Sequence, residues 1–270
     1  KNNTVVNSNF GIRCTDSAET QIKNNTISKN VESGILIKDS ATATIQENIV
    51  EGNGGHGIRI SGTSETVVSH NVVKNNQSAG ISCSDDSVVQ VIYNSIISNI
   101  ESGIECISNA DVVVSNNLVD SNGKSGIECR ENVSFIIKRN TISHNGRTGV
   151  LLLDSANPVI GGSLVDANFI VDNEGGVKNH TDNTINATYN YWGTDDKTQV
   201  ESMMLNESEG SIIFEPFIGD PELIGDVSGK DGITAYDASL LLQYCVGLID
   251  QLPANISSIG GNVTPRNRTI

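Results

Sequence analysis

Apolar and polar residues alternate in short bursts along this chain, and the bursts recur at a constant step of 23 residues. A glycine precedes one recurring apolar pair at Gly11, Gly34, Gly57, Gly80, Gly103, Gly126 and Gly149. Asparagine keeps the same step at Asn25, Asn48, Asn71, Asn94, Asn117 and Asn140. A second asparagine column lies five residues further on, from Asn30 through Asn53, Asn76, Asn99, Asn122 and Asn145, and the step assigns Asn168 to it as well. Three columns sharing one period define an internal repeat.

Each repeat contains three bursts of period two: Asn-x-Ile/Val (Asn140-Thr141-Ile142), Gly-Ile-x-Ile/Cys (Gly57-Ile58-Arg59-Ile60), and a segment ending at Ile22, Ile45, Val68, Val91, Val114 or Ile137. β-Branched alternation broken by Gly, Asn, Ser and Asp predicts three strands and three turns per repeat. A helical repeat would need long stretches of 3.6 periodicity, and none is present. Strands joined at constant period stack as a solenoid, each coil pairing with its neighbours at roughly 4.8 Å per rung. Val and Ile fill the narrow interior, and turn asparagines bond to one another up the stack.

The repeat resembles the Asn-x-Ile-x-x-Asn-x-x-x-Gly-Ile-x-Ile unit of the parallel β-helix family, written here from Asn25 to Ile37. The resemblance spans about residues 1–215. It implies an all-β, right-handed parallel β-helix over residues 1–218, with 23-residue coils of three strands. After Asn157-Pro158-Val159-Ile160 the regularity fails and the only tryptophan appears, in Asn190-Tyr191-Trp192-Gly193-Thr194. A large aromatic there is expected just past the last rungs, as a cap over the open end. Ile212-Ile213-Phe214-Glu215-Pro216 is expected to supply the last strand.

Composition narrows the functional classes. The net charge is −15 and aromatics make up 4%. Nucleic acid and anionic membrane are poor partners for such a chain, because phosphate binding needs clustered Lys and Arg. No apolar run is long enough to span a bilayer. The chain opens at Lys1 with no leader pattern and reads as a mature or excised fragment. Five cysteines are an odd and sparse count for a disulfide framework.

The stretch Ser102–Cys129 begins and ends on Ser-Gly-Ile-Glu-Cys. Cys14, Cys83, Cys106 and Cys129 share a column with Ile37, Ile60 and Leu152, which predicts core-facing packing residues. Alternation then turns Glu105 and Glu128 outward, in a column with Arg13, Leu36, Arg59, Ser82 and Leu151, and Arg130 faces out beside them. Two carboxylates one rung apart raise each other's pKa unless a cation intervenes. Glu105, Glu128 and Arg130, with Arg59 near, are the candidate catalytic set for cleaving or epimerising a polysaccharide; the alternative is a solvated charged face. Gly55-His56-Gly57 and Asp85-Asp86 stand in the reverse order to a polygalacturonase site, and the Asp-Pro-His-Glu signature of alginate epimerases is missing. His56, His70, His144 and His180 fall in different registers and form no ligand set.

From Gly225 the style changes to Gly-Asp-Val-Ser-Gly-Lys-Asp-Gly-Ile-Thr-Ala-Tyr-Asp, followed by the run Ala238–Leu248, expected to be helical, so that a small α-helical, EF-hand-like module is predicted after the β-helix. A calcium loop of the EF-hand kind places oxygen ligands at alternate positions and closes on a carboxylate at the twelfth. Asp226, Ser228, Asp231, Gly232 and Asp237 form the candidate metal set, with Lys230 a departure from the pattern. This segment, 222–253, resembles one dockerin type I repeat; residues 254–270 read as linker or the start of a further module. The resemblance implies calcium as cofactor and a cohesin-like partner protein, which a complete dockerin grips through two helices, whereas one copy stands here.

Together these features predict an extracellular or cell-surface, polysaccharide-associated protein. A carbohydrate-binding or scaffold module comes first, because no complete catalytic motif interrupts the repeat. A polysaccharide lyase, hydrolase or epimerase is the alternative, and a structural or adhesive surface protein without a sugar ligand is a third reading.

Overall fold

The computed structural model describes residues 1–219. The predicted C-terminal module, with Asp226, Ser228, Asp231, Gly232 and Asp237, lies outside the described residues, as does 254–270. Within 1–219 the chain winds into successive coils, each giving one strand to each of three parallel sheets of eight, nine and nine strands. One coil shows the scheme: Val88–Ile92 in the third sheet, Ser95–Ile97 in the first and Ile104–Cys106 in the second. The next coil lies directly upon it, Val88 against Asp111, Ser95 against Leu118 and Ile104 against Ile127, each pair 23 residues apart.

The interior is a stack of Val, Ile, Leu, Ala and Cys, with Ile58, Ile81, Ile104 and Ile127 among the fully buried residues. The glycine column has a steric cause. A Cβ on Gly103 would meet Val119 Cγ1 at 2.5 Å, Asn122 Nδ2 at 2.8 Å and the Gly126 carbonyl at 2.8 Å. The chain passes too close to the next coil there for any side chain.

Both asparagine columns are buried hydrogen-bond ladders. Asn94 donates from Nδ2 to Val68 O (2.8 Å), Ile92 O (3.0 Å) and Asn117 Oδ1 (3.1 Å). Its Oδ1 accepts from the Asn71 backbone N–H (2.9 Å) and from Asn71 Nδ2 (3.0 Å). The residue before each regularly spaced asparagine of the first ladder turns the corner in the left-handed region: Asn24, Glu47, His70, Tyr93, Asn116 and Arg139 have φ between 55° and 57°.

Asn168 does not continue the second ladder. It accepts from Asn140 Nδ2 at 3.0 Å, a step of 28, and so extends the first ladder, while Asn173 takes the place beside Asn145 at 3.0 Å. The coil after Asn140 carries five extra residues in a loop with a short 3₁₀ turn, Leu164–Asp166. Because the ladders are themselves five residues apart, the insertion brings a first-ladder asparagine to the number that an unbroken step assigns to the second.

Trp192 is 1% exposed and lies within the last coils, not beyond them. Its ring fills the space over Gly176, where a Cβ would come within 2.9 Å of Trp192 Cε3 and Cζ3. Met204–Asn206 then adds to the second sheet and Ser211–Ile213 forms the edge of the third, as expected for the segment at Ile212. Asp196 caps the short helix Lys197–Ser202 by accepting from the Thr198 N–H at 2.8 Å.

Replacing Asn94 with Ala removes five side-chain hydrogen bonds and leaves the buried Asn71 N–H without its acceptor. At about 1–3 kcal/mol for an unsatisfied buried group, the expected loss is about 2–3 kcal/mol, measurable by denaturant unfolding.

Candidate functional site

The doubled Ser-Gly-Ile-Glu-Cys forms adjacent rungs of the second sheet. Glu105 lies against Glu128 and Cys106 against Cys129. Ile104, Cys106, Ile127 and Cys129 are fully buried, so alternation turns both glutamates away from the core. Cys14, Cys83, Cys106 and Cys129 are free thiols. Burial pushes the Cys106 and Cys129 thiols well up, so neither offers a thiolate. They pack as small apolar side chains.

The two glutamates differ sharply. Glu128 faces out of the coil yet is 5% exposed, which overturns the solvated-face reading for this residue. Its Oε1 accepts from Arg130 Nε at 2.8 Å and pairs with Arg130 Nη2, and its Oε2 accepts from Ser102 Oγ at 2.7 Å. Both oxygens are thus engaged, and the Arg130 guanidinium covers the carboxylate. Glu105 has one weak partner, Ser82 Oγ at 3.4 Å. Burial and, next, the Glu128 charge raise its pKa, partly offset by Arg130. Arg59 sits two rungs back through Ser82, exposed and apart from this pair.

Glu128 and Arg130 line a groove of about 510 Å³ on the outer face of the second sheet. Lys124, Arg147, Lys178 and His180 also line it, together with Glu174, above Leu151, Leu153 and Leu205. The lining holds four permanent cations against two carboxylates, a local concentration of positive groups in a chain that carries −15, and two further carboxylates pair with it from outside. Lys124 pairs with Glu101, and Lys178 reaches Glu207 at 2.8 Å. Arg147 is exposed and has no ion-pair partner among the described residues. Such a site can bind a carboxylate- or sulfate-bearing ligand through paired guanidinium and ammonium donors. Among the described residues no three His, Cys, Asp or Glu side chains converge as a metal-binding group.

The sequence reading named Glu105, Glu128 and Arg130 but missed Lys124, Arg147 and Lys178. The first two were visible, since Lys124 and Arg147 are 23 apart on one column. Lys178 was not: it stacks on Leu151 after a step of 27, which the inserted loop creates.

Comparison with known proteins agrees with this architecture. The family described as a right handed beta helix region matches residues 1–118 and 91–192. Among solved structures, the periplasmic alginate epimerase AlgG is similar, at 24% identity with a TM-score of 0.51, covering 76% of this chain and 48% of that one. One mutant of the same epimerase is 23% identical with a TM-score of 0.53, covering 76% of this chain and 48% of that one. A second mutant is also 23% identical, with a TM-score of 0.51, and covers 78% of this chain and 51% of that one. The chain thus spans about half the length of these structures, and the likeness is one of fold. No curated protein matches the chain. With most of its described coils matched and every sheet parallel, the chain belongs to the right-handed β-helix family.

Proposed function

We propose that this protein is an extracellular or envelope polysaccharide-binding β-helix, a binding or scaffold module that holds an acidic glycan in the groove of the second sheet. The observation that carries this reading is the gathering of Lys124, Arg130, Arg147 and Lys178 in one groove of a strongly acidic chain. Fixed cations over an apolar floor suit a sugar chain that bears regularly spaced carboxylates, because each rung presents donors along the solenoid axis. The fold shared with an alginate epimerase adds weight to a polysaccharide ligand.

Acid–base chemistry on the same glycan is the second reading, and the observation favouring it is Glu105. A carboxyl whose pKa is raised beside a fixed Arg130–Glu128 pair suits a proton donor. Glu128, with both oxygens occupied, is a positioning group for Arg130 in either reading.

For the C-terminal segment we propose a calcium loop held by Asp226, Ser228, Asp231, Asp237 and the Gly232 carbonyl, attaching or spacing the β-helix within a larger secreted protein. Its support is the spacing of oxygen ligands in the sequence.

Titration with polygalacturonate by calorimetry tests the groove. Arg147→Ala is expected to weaken binding by about tenfold at low ionic strength, with the difference shrinking as salt rises. Unchanged affinity in both Arg147→Ala and Lys124→Ala would refute the assignment. The same mixtures, followed for unsaturated or newly reducing sugar ends, test catalysis: products that disappear in Glu105→Gln would establish the second reading.

Glu105 also makes a stability prediction. Its raised pKa means the folded state keeps a proton that the unfolded state loses between the ordinary glutamate value and the raised one. Stability therefore falls as pH climbs through that window. Glu105→Gln is expected to melt higher than the parent at neutral pH and no higher in acid below the window, as read by thermal melts across pH. For the calcium loop, millimolar Ca²⁺ is expected to increase helicity or thermal stability, and Asp226→Ala to abolish that response.

A further inference from the structure

We propose that the outer face of the third sheet, over its first four coils, is a second binding site, one that takes a neutral, hydroxyl-rich oligosaccharide. The strands Glu19–Lys23, Thr42–Gln46, Glu65–Ser69 and Val88–Ile92 lie side by side there. Their outward residues form rows along the solenoid axis, one of them Gln21, Thr44, Val67 and Gln90 in register. Together the strands line a groove of about 520 Å³.

Three independent observations select the ligand class. The first is charge. The only ionisable groups in the lining are Glu19 and Glu65, so this groove repels a polyanion, the reverse of the basic groove on the second sheet. The second is unused hydrogen-bonding capacity. Among the described residues, the side chains of Glu19, Gln21, Thr42, Thr44, Glu65 and Gln90 form no hydrogen bond or ion pair. They offer both donors and acceptors, repeated at roughly one rung of 4.8 Å, which a chain of hydroxyls laid along the axis can satisfy.

The third observation is an aromatic pair at the corner that ends two of these strands, one corner along from the groove lining. Tyr93 follows directly on Val88–Ile92 and His70 on Glu65–Ser69, two of the strands that form the groove. Their rings stack at 5.2 Å and 22°, and Tyr93 is 54% exposed. Tyr93 sits at φ 57°, in the left-handed region, where a bulky side chain is disfavoured and asparagine is at home. Equivalent corners in other coils use Asn24 and Asn116. Neither core packing nor the turn calls for tyrosine at this corner. A flat exposed ring three residues along the chain from Gln90 is, however, what the C–H face of a sugar extending from the groove can stack upon.

The site is independent of the acidic-glycan reading, and its test keeps the two apart. The full chain is titrated by calorimetry with β-1,4-linked glucose, xylose and mannose hexasaccharides, and separately with polygalacturonate. At least one neutral hexasaccharide is expected to bind. Tyr93→Asn, which supplies the residue that sister corners already use, is expected to weaken that binding by about threefold to tenfold without lowering the melting temperature. Thr44→Arg, which places a bulky charge in the groove, is expected to abolish it. Arg147→Ala should leave neutral-sugar binding unchanged, and Tyr93→Asn should leave polygalacturonate binding unchanged. The proposal is overturned if none of the three hexasaccharides binds, if Tyr93→Asn and Thr44→Arg bind as the parent does, or if Arg147→Ala removes the neutral-sugar signal.

Discussion

A solenoid survives only if each coil satisfies the backbone polar groups of the next, and corners are where that condition is hardest to meet. Strand amides pair across rungs without help, but a chain that bends sharply leaves N–H and C=O groups without a regular partner. The two buried asparagine ladders solve this. Each amide side chain accepts from the asparagine one coil below and donates to carbonyls around the corner, as Asn94 does. The left-handed residue before each regularly spaced first-ladder asparagine, from Asn24 to Arg139, is the conformational cost of so tight a bend. The period, the glycine column and the stacked Ile and Val all follow from holding this corner in register.

That constraint also decides where chemistry can occur. The interior is too narrow and too apolar to hold a ligand, and the cysteines that share a column with isoleucine belong to it. Function must therefore sit on outward-facing rows, where the repeat places no demand on residue type. Two such rows have diverged in opposite senses. The second sheet gathers Lys124, Arg130, Arg147 and Lys178 around the sealed carboxylate of Glu128. The groove on the third sheet is lined by unpaired amides, hydroxyls and two carboxylates, with no cation in the lining. One scaffold thus carries faces of contrasting charge, each with ligand groups spaced by the rung.

Most of the fold was legible because the repeat is so regular. Gly103, Asn94 and Ile104 each stand for a column whose step predicts its partner in the next coil, and the strand pairing follows. Where the regularity stops, the 23-residue step misleads. Asn168 was assigned to the wrong ladder because an insertion of five residues mimics the offset between ladders. Trp192, expected as a cap, instead packs into the last coils over Gly176, since only a glycine leaves room for the indole. The candidate site was half legible: alternation turned Glu105, Glu128 and Arg130 outward, and Lys124 with Arg147 kept the step unnoticed.

By itself the sequence determined the coil, its length, the three strands and which side chains face in, because period-two alternation and a fixed step set which residues share a face and which coil each one meets. Tertiary structure decided what outward means for each residue. Glu128 and Glu105 share a column and a chemistry, yet Arg130 and Ser102 seal one while the other keeps a single weak hydroxyl contact. That difference arises from side chains meeting across rungs and corners, and from the loop that brings Lys178 beside Leu151. Periodicity specifies the direction of a side chain; only its neighbours in space specify its solvation and its charge.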